Sequence, residues 1–171
     1  TGYREWALHL AFLLPAVVAI IGTYLLAERM CRRPLVASFC TLFTPAFIVS
    51  SSNVMSDTLM LALWVVAMVL WMTGMERQSW ILLTLSGMSI ALCSLAKYFG
   101  MSLIPLLLLY SALRERRITW TVAYLLVPVV LLGAYQWATN ELYGRGLLLD
   151  AAAYATVART GWSKYSFEKL L

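Results

Sequence analysis

Long uncharged, apolar runs alternate with short charged breaks along most of this chain. Residues 6–27 form the first run, closed by Glu28-Arg29-Met30-Cys31-Arg32-Arg33-Pro34. Residues 35–55 form the second, ended by Ser56-Asp57, and residues 58–75 the third, ended by Glu76-Arg77-Gln78. Residues 79–96 are the fourth, ended by Lys97-Tyr98-Phe99-Gly100. Residues 101–113 are the fifth and shortest, and 118–139 the sixth. A helix that crosses a bilayer needs about 20 apolar residues, with a range of about 17–25. Five runs meet that length. The fifth does so if Tyr98-Phe99-Gly100 belongs to it, or if Arg114 snorkels to the interface. The pattern predicts an all-α, polytopic membrane protein with about six transmembrane helices over residues 1–140. Residues 141–171 are predicted to be a separate segment at the outer interface. Asp150 is expected to cap a short helix there, with Trp162, Tyr165 and Phe167 at headgroup level.

Composition agrees with this. Mean hydropathy is +0.80, and charged residues make up only 12 % of the chain, about half the share usual in a soluble domain. The formal charge of +5 could point to nucleic acid. The basic residues, however, lie in short clusters between apolar runs, which is how topology is encoded, so no nucleic-acid partner is expected. Cys31, Cys40 and Cys93 have no metal-ligand spacing and read as small packing residues. Pro15, Pro45, Pro105 and Pro128 lie within the runs, and Pro45 is expected to bend the second.

The arginines set an orientation. With the first helix ending in the cytoplasm, Arg29, Arg32, Arg33, Arg77, Arg114, Arg116 and Arg117 lie inside in tight loops. Arg4, Lys97, Arg145, Arg159, Lys164 and Lys169 lie outside, mostly in the tail. Asp57 and Lys97 then share the outer face.

Asp57 is the one charged residue between Arg33 and Glu76. An ionisable group at membrane depth is costly and suggests a site. Alternatively, Asp57 only caps the third helix. Lys97 is either a snorkelling anchor or a compact cation for a phosphate oxygen. His9, near the outer end of the first run, is either a satisfied polar contact or a third member of an outer cavity. The tryptophans read as an aromatic belt, with Trp64, Trp71, Trp80, Trp120 and Trp137 at helix ends or lipid faces. No Gly-rich phosphate loop, HExxH or nucleophile elbow is present.

Several motifs occur in a telling order. Tyr24-Leu25-Leu26-Ala27-Glu28-Arg29 comes with Arg32-Arg33-Pro34. Thr44-Pro45 leads to Val54-Met55-Ser56-Asp57-Thr58, and Leu95-Ala96-Lys97-Tyr98-Phe99-Gly100 precedes Ile104-Pro105-Leu106. Over residues 6–140 this resembles the GT-C membrane glycosyltransferases, in the branch of protein O-mannosyltransferases and aminoarabinose transferases. Asp57 matches the family's S/T-D element, and Lys97 with Gly100 its K-x-x-G element.

The resemblance implies an enzyme of a bacterial inner (plasma) membrane. It would take a sugar from a polyprenyl-phosphate carrier and pass it to a lipid, glycan or protein on the outer face, among membrane lipids. Asp57 would orient acceptor or donor, or hold a divalent ion, and no other cofactor is implied. Lys97 would stabilise the leaving lipid phosphate, and His9 stands where relatives often carry an arginine. The family's catalytic acid lies in an outer loop that would precede Thr1. The chain is therefore expected to be a fragment, inactive alone. Two other readings stay open: part of a multi-pass transporter with Asp57 as an ion or proton site, and an inert truncated product.

Overall fold

The punctuation of the apolar runs becomes a set of helices joined by tight turns. A computed structural model describes residues 2–53, 55–115, 120–144, 146–148, 150, 151 and 153. Seven α-helices lie among them: α1 (Gly2–Met30), α2 (Pro34–Leu42), α3 (Pro45–Ser52), α4 (Ser56–Arg77), α5 (Trp80–Ala96), α6 (Leu103–Glu115) and α7 (Leu126–Tyr143). Short 3₁₀ turns, Tyr98–Ser102 and Trp120–Leu125, lead into α6 and α7. No strand occurs among the described residues. The chain is an all-α integral membrane protein. His9–Met30, Ser56–Arg77 and Trp120–Tyr143 are each long and apolar enough to cross a bilayer. The second run is a broken pair, α2 and α3, bent by 61°, and is long and apolar enough to cross only when the two are taken together. The fourth and fifth runs form shorter apolar helices, Trp80–Ala96 and Tyr98–Arg114.

Proline explains much of this segmentation. Pro34 and Pro45 stand at the start of α2 and α3, where a missing N–H costs nothing because no helical carbonyl awaits it. Pro105 and Pro128 fall in the first turns of α6 and α7. Only Pro15 is deep inside a helix, and α1 continues through it. At the elbow Phe43 N–H donates to Phe39 O at 2.9 Å and Thr44 N–H to Thr41 O at 3.2 Å. Pro45 then has no N–H to carry the ladder further, so the axis turns there.

The chain divides into two compact units, residues 1–129 and 130–171. In the first, α4 is central and packs on α1 and α5. Lipid offers apolar side chains no hydrophobic gain from meeting each other, so close packing and buried polar contacts hold such helices together. Both occur here. Ala16, Ala19, Ala62 and Phe47 form one buried cluster, and a Cβ added at Gly22 would lie 2.8 Å from Val65 Cγ1. A larger cluster centres on Trp71, Leu83, Ile90, Leu103 and Leu107. Ser86 Oγ donates to Ala67 O at 2.7 Å, bridging α5 to α4. Trp71 Nε1 donates to Ser111 Oγ at 3.0 Å, bridging α4 to α6.

Trp71 corrects the aromatic-belt reading. Its side chain is fully buried, because the indole N–H finds Ser111 in the core and needs no headgroup partner. Trp80, Trp120 and Trp137 are well exposed, as a belt requires.

Charge is divided between the two ends of this bundle. Where α1, α4 and α6 end, Glu76 forms ion pairs with Arg29 at 3.6 Å and with Arg114 at 3.3 Å. Arg29 also donates to Thr73 Oγ1 at 2.6 Å. Cations at helix C-termini complement the helix dipoles. Asp57 and Lys97 lie at the other end of α4 and α5.

In the second unit, Gly144 ends α7 with φ of +67° and donates its N–H to Asn140 O at 2.9 Å, as a left-handed C-terminal glycine does. Asp150 is not the cap the sequence suggested. Its own N–H donates to Gly146 O at 3.1 Å, so helical turns begin before it. Arg159, Gly161, Trp162, Tyr165 and Phe167 lie outside the described residues.

Candidate functional site

Two charges 40 residues apart in sequence meet because α4 and α5 form an antiparallel hairpin. Gln78 makes the turn with φ of +50°, and the N–H groups of Gln78 and Ser79 both reach Gly74 O. From there the two helices run back in fixed register. Ser86 meets Ala67, and about two helical turns further along Cys93 meets Met60 O at 3.5 Å. One turn beyond, α5 stops at Lys97 and α4 begins at Ser56. Lys97 Nζ donates to Asp57 Oδ1 in a direct ion pair. The side chains remain 39 % and 43 % exposed, so the pair contributes little to stability, about 0–1 kcal/mol. Its interest is what it places at the mouth of the bundle.

The cap-only reading of Asp57 does not describe this geometry. Met55 holds the N-cap position, and no side-chain cap bond is made. Asp57 stands in the first turn, where its charge still suits the helix dipole, but its carboxylate is directed to Lys97.

Lys97 is itself set by a close backbone approach. Its N–H donates to Cys93 O at 3.0 Å, and Gly100 N–H returns to Lys97 O at 2.9 Å. The 3₁₀ turn thereby folds onto the end of α5. A Cβ at Gly100 would lie 2.5 Å from Cys93 C and from Ser94 N. Only glycine fits, which gives the K-x-x-G spacing a physical reason.

Beside the pair lies an open cleft of about 400 Å³. The α2–α3 elbow contributes Thr41 and Thr44, α3 contributes Phe47 and Ser50, and α4 contributes Asp57 and Thr58. Thr41 and Thr44 spend their hydroxyls on the carbonyls of Ala37 and Cys40. Thr58 does not. It is only 2 % exposed, and among the described residues its Oγ1 is the one buried side-chain oxygen or nitrogen without a partner. Thr23, Thr73 and Thr84 each donate to the carbonyl four residues back. Thr58 is in the first turn of α4, so the residue four back precedes the helix. Sequence reading singled out Asp57 but missed Thr58 and Ser50. The signal was the adjacency of Thr58 to the helix start.

His9 is on α1, is exposed and does not line this cleft. The structure brings Asp57 and Lys97 together without it. No group of three His, Cys, Asp or Glu side chains among the described residues could hold a metal ion. Asp57 faces an ammonium, which a divalent cation would have to displace. This donor set does not fit a protein-held divalent ion.

Residues 1–138 match the family described as dolichyl-phosphate-mannose-protein mannosyltransferase. The chain belongs to that family. The match covers the stretch that holds Asp57 and Lys97, and the family is of GT-C type. The family's description names a dolichyl-phosphate-linked mannose as donor and a protein as acceptor. No curated protein and no solved structure matches the chain.

Proposed function

We propose that this chain carries the donor-phosphate end of a membrane glycosyltransferase site. The enzyme moves a sugar from a polyprenyl-phosphate carrier to a lipid, glycan or protein acceptor on the outer face of a bacterial plasma membrane. The observation that supports this most is the Asp57–Lys97 pair, in a chain of the mannosyltransferase family.

The chemistry requires the bond between the sugar's anomeric carbon and the phosphate oxygen to break as an acceptor oxygen or nitrogen bonds to that carbon. The electron pair leaves with the lipid phosphate, and the acceptor proton goes to a base. Negative charge therefore grows on the phosphate in the transition state, and a fixed cation beside it lowers the barrier. Lys97 suits that task as a compact, mobile charge. At rest Asp57 neutralises it. When the donor phosphate arrives, Lys97 exchanges carboxylate for phosphate, and Asp57 is released to accept a hydroxyl of donor or acceptor. His9 is assigned a role in binding only if the donor extends to α1.

A transporter reading would use Asp57 as an ion site. Its direct neutralisation by Lys97 favours the transferase.

Orientation and activity can be tested in the same vesicles. With Cys31 and Cys40 replaced by serine, a cysteine at exposed Ser52 should react with an impermeant thiol reagent added outside the cell, and one at Gln78 should not. In vesicles that hold the whole enzyme carrying this chain, sugar from polyprenyl-phosphate mannose should then reach an acceptor supplied on the Ser52 side. The reverse labelling, or transfer only on the Gln78 side, contradicts an outer-face reaction.

A further inference from the structure

The cleft beside Asp57 is mostly apolar, with a few polar side chains in its lining. Thr58 Oγ1 is buried without a partner. Such a hydroxyl is a standing cost to the fold, because nothing replaces the water it has lost. Ser50 Oγ, across the cleft on α3, also makes no hydrogen bond among the described residues, although its neighbours Ser51 and Ser52 both donate to Ile48 O. Lys97 takes Oδ1 of Asp57 and leaves Oδ2. Ser50, Thr58 and Asp57 thus line one cleft together with the apolar Phe47 and Leu61. Its volume of about 400 Å³ falls within the range of ligand sites, about 300–1,000 Å³.

We infer that Ser50, Thr58 and Asp57 Oδ2 form a subsite that reads the ring hydroxyls of the sugar on the lipid-phosphate donor. The inference rests on the donor-site reading above, and it adds the residues that choose the sugar. A polyhydroxylated ring supplies what the cleft lacks. Each hydroxyl can donate to one oxygen while accepting from another, so a single ring can satisfy Thr58, Ser50 and the carboxylate together. A prenyl chain satisfies none of them. The ring would sit next to Lys97, the cation assigned to the phosphate, as the covalent link between sugar and phosphate demands. Thr58 lines the cleft and is buried. The facing wall is α3, of eight residues and without a side-chain cap at its start. Because Thr58 is only 2 % exposed, a ligand hydroxyl reaching it requires a small shift of α3 about the Thr44–Pro45 elbow.

The test uses the full protein in nanodiscs and measures binding of polyprenyl-phosphate mannose and of its 2-, 3-, 4- and 6-deoxy analogues. The unaltered protein should bind at least one deoxy analogue about tenfold more weakly than the parent, the loss expected for one hydrogen bond. Thr58→Val, which keeps the shape and removes the hydroxyl, should erase that preference while melting at the same temperature or higher. Ser50→Ala should erase a preference at the same or a neighbouring ring position. Equal binding of every analogue by the unaltered protein overturns the inference and leaves the donor-site reading standing. So does a Thr58→Val protein that weakens all analogues by the same factor, because that is a structural effect. If the Thr58→Val protein does not fold, the analogue series on the unaltered protein together with Ser50→Ala decides. Failure to bind the parent donor at all overturns both readings.

Discussion

In the whole enzyme that carries this chain, replacing Asp57 by asparagine should lower sugar transfer by a factor of about 10²–10³, the usual effect of removing one preorganised electrostatic partner from a reacting site. Membrane insertion and melting temperature should hardly change. Asparagine caps a helix about as well as aspartate, and capping is not at stake here because Met55 holds the cap position. The lost ion pair is about two-fifths exposed on each side, so its removal should cost no more than about 1 kcal/mol. What the substitution removes is the negative charge that pairs with Lys97. Transfer rates of the whole enzyme that carries this chain, purified with and without Asp57→Asn, each with its thermal melt, make the comparison. An active Asp57→Asn protein would reduce Asp57 to a structural residue.

Gly100→Ala should be the most damaging single methyl in the first unit. The added carbon would sit 2.5 Å from two backbone atoms of α5 and 2.7 Å from a third, Ser94 Cα. Backbone cannot rotate out of the way as a side-chain tip can, so the 3₁₀ turn must lift from α5. Overpacking of this kind costs about 1–3 kcal/mol. Here it also pulls Lys97, whose carbonyl bonds to Gly100 N–H, away from Asp57. The expected result is a melting temperature lower by several degrees and a loss of transfer comparable to Asp57→Asn. Gly133→Ala is the matched control. No atom lies within 4 Å of a Cβ there, and alanine favours a helix interior over glycine, so stability should hold or rise. Equal effects at both glycines would remove the close-approach argument.

These expectations also mark how far the sequence alone reaches. Six apolar runs were legible because the cost of charge in hydrocarbon is large, so charged residues report the breaks faithfully. The bend at Pro45 was legible for the same kind of reason: a missing N–H has one structural consequence. That Asp57 and Lys97 share an end of the bundle followed from counting crossings. Their direct pairing did not, since it depends on hairpin register, and that register is set by Ser86, Cys93 and the Gln78 turn rather than by any pattern of charge. Trp71 was misplaced at the lipid face because an aromatic ring near a helix end looks alike whether it points to headgroups or to Ser111. Thr58 was missed because its chemistry is a missing hydrogen bond, and a sequence does not show which carbonyls are out of reach.

The central claim is that the Asp57–Lys97 end of the bundle receives a phosphate-linked sugar lipid. Native mass spectrometry of the protein with polyprenyl-phosphate mannose tests it most directly, with the free polyprenol as the comparison ligand and Lys97→Ala as the comparison protein. The unaltered protein should bind the phosphate-linked donor and discriminate strongly against the polyprenol, and Lys97→Ala should lose about tenfold or more in donor affinity with polyprenol binding unchanged. Equal affinity for donor and polyprenol, or a Lys97→Ala protein that binds the donor as tightly as the unaltered one, would contradict it.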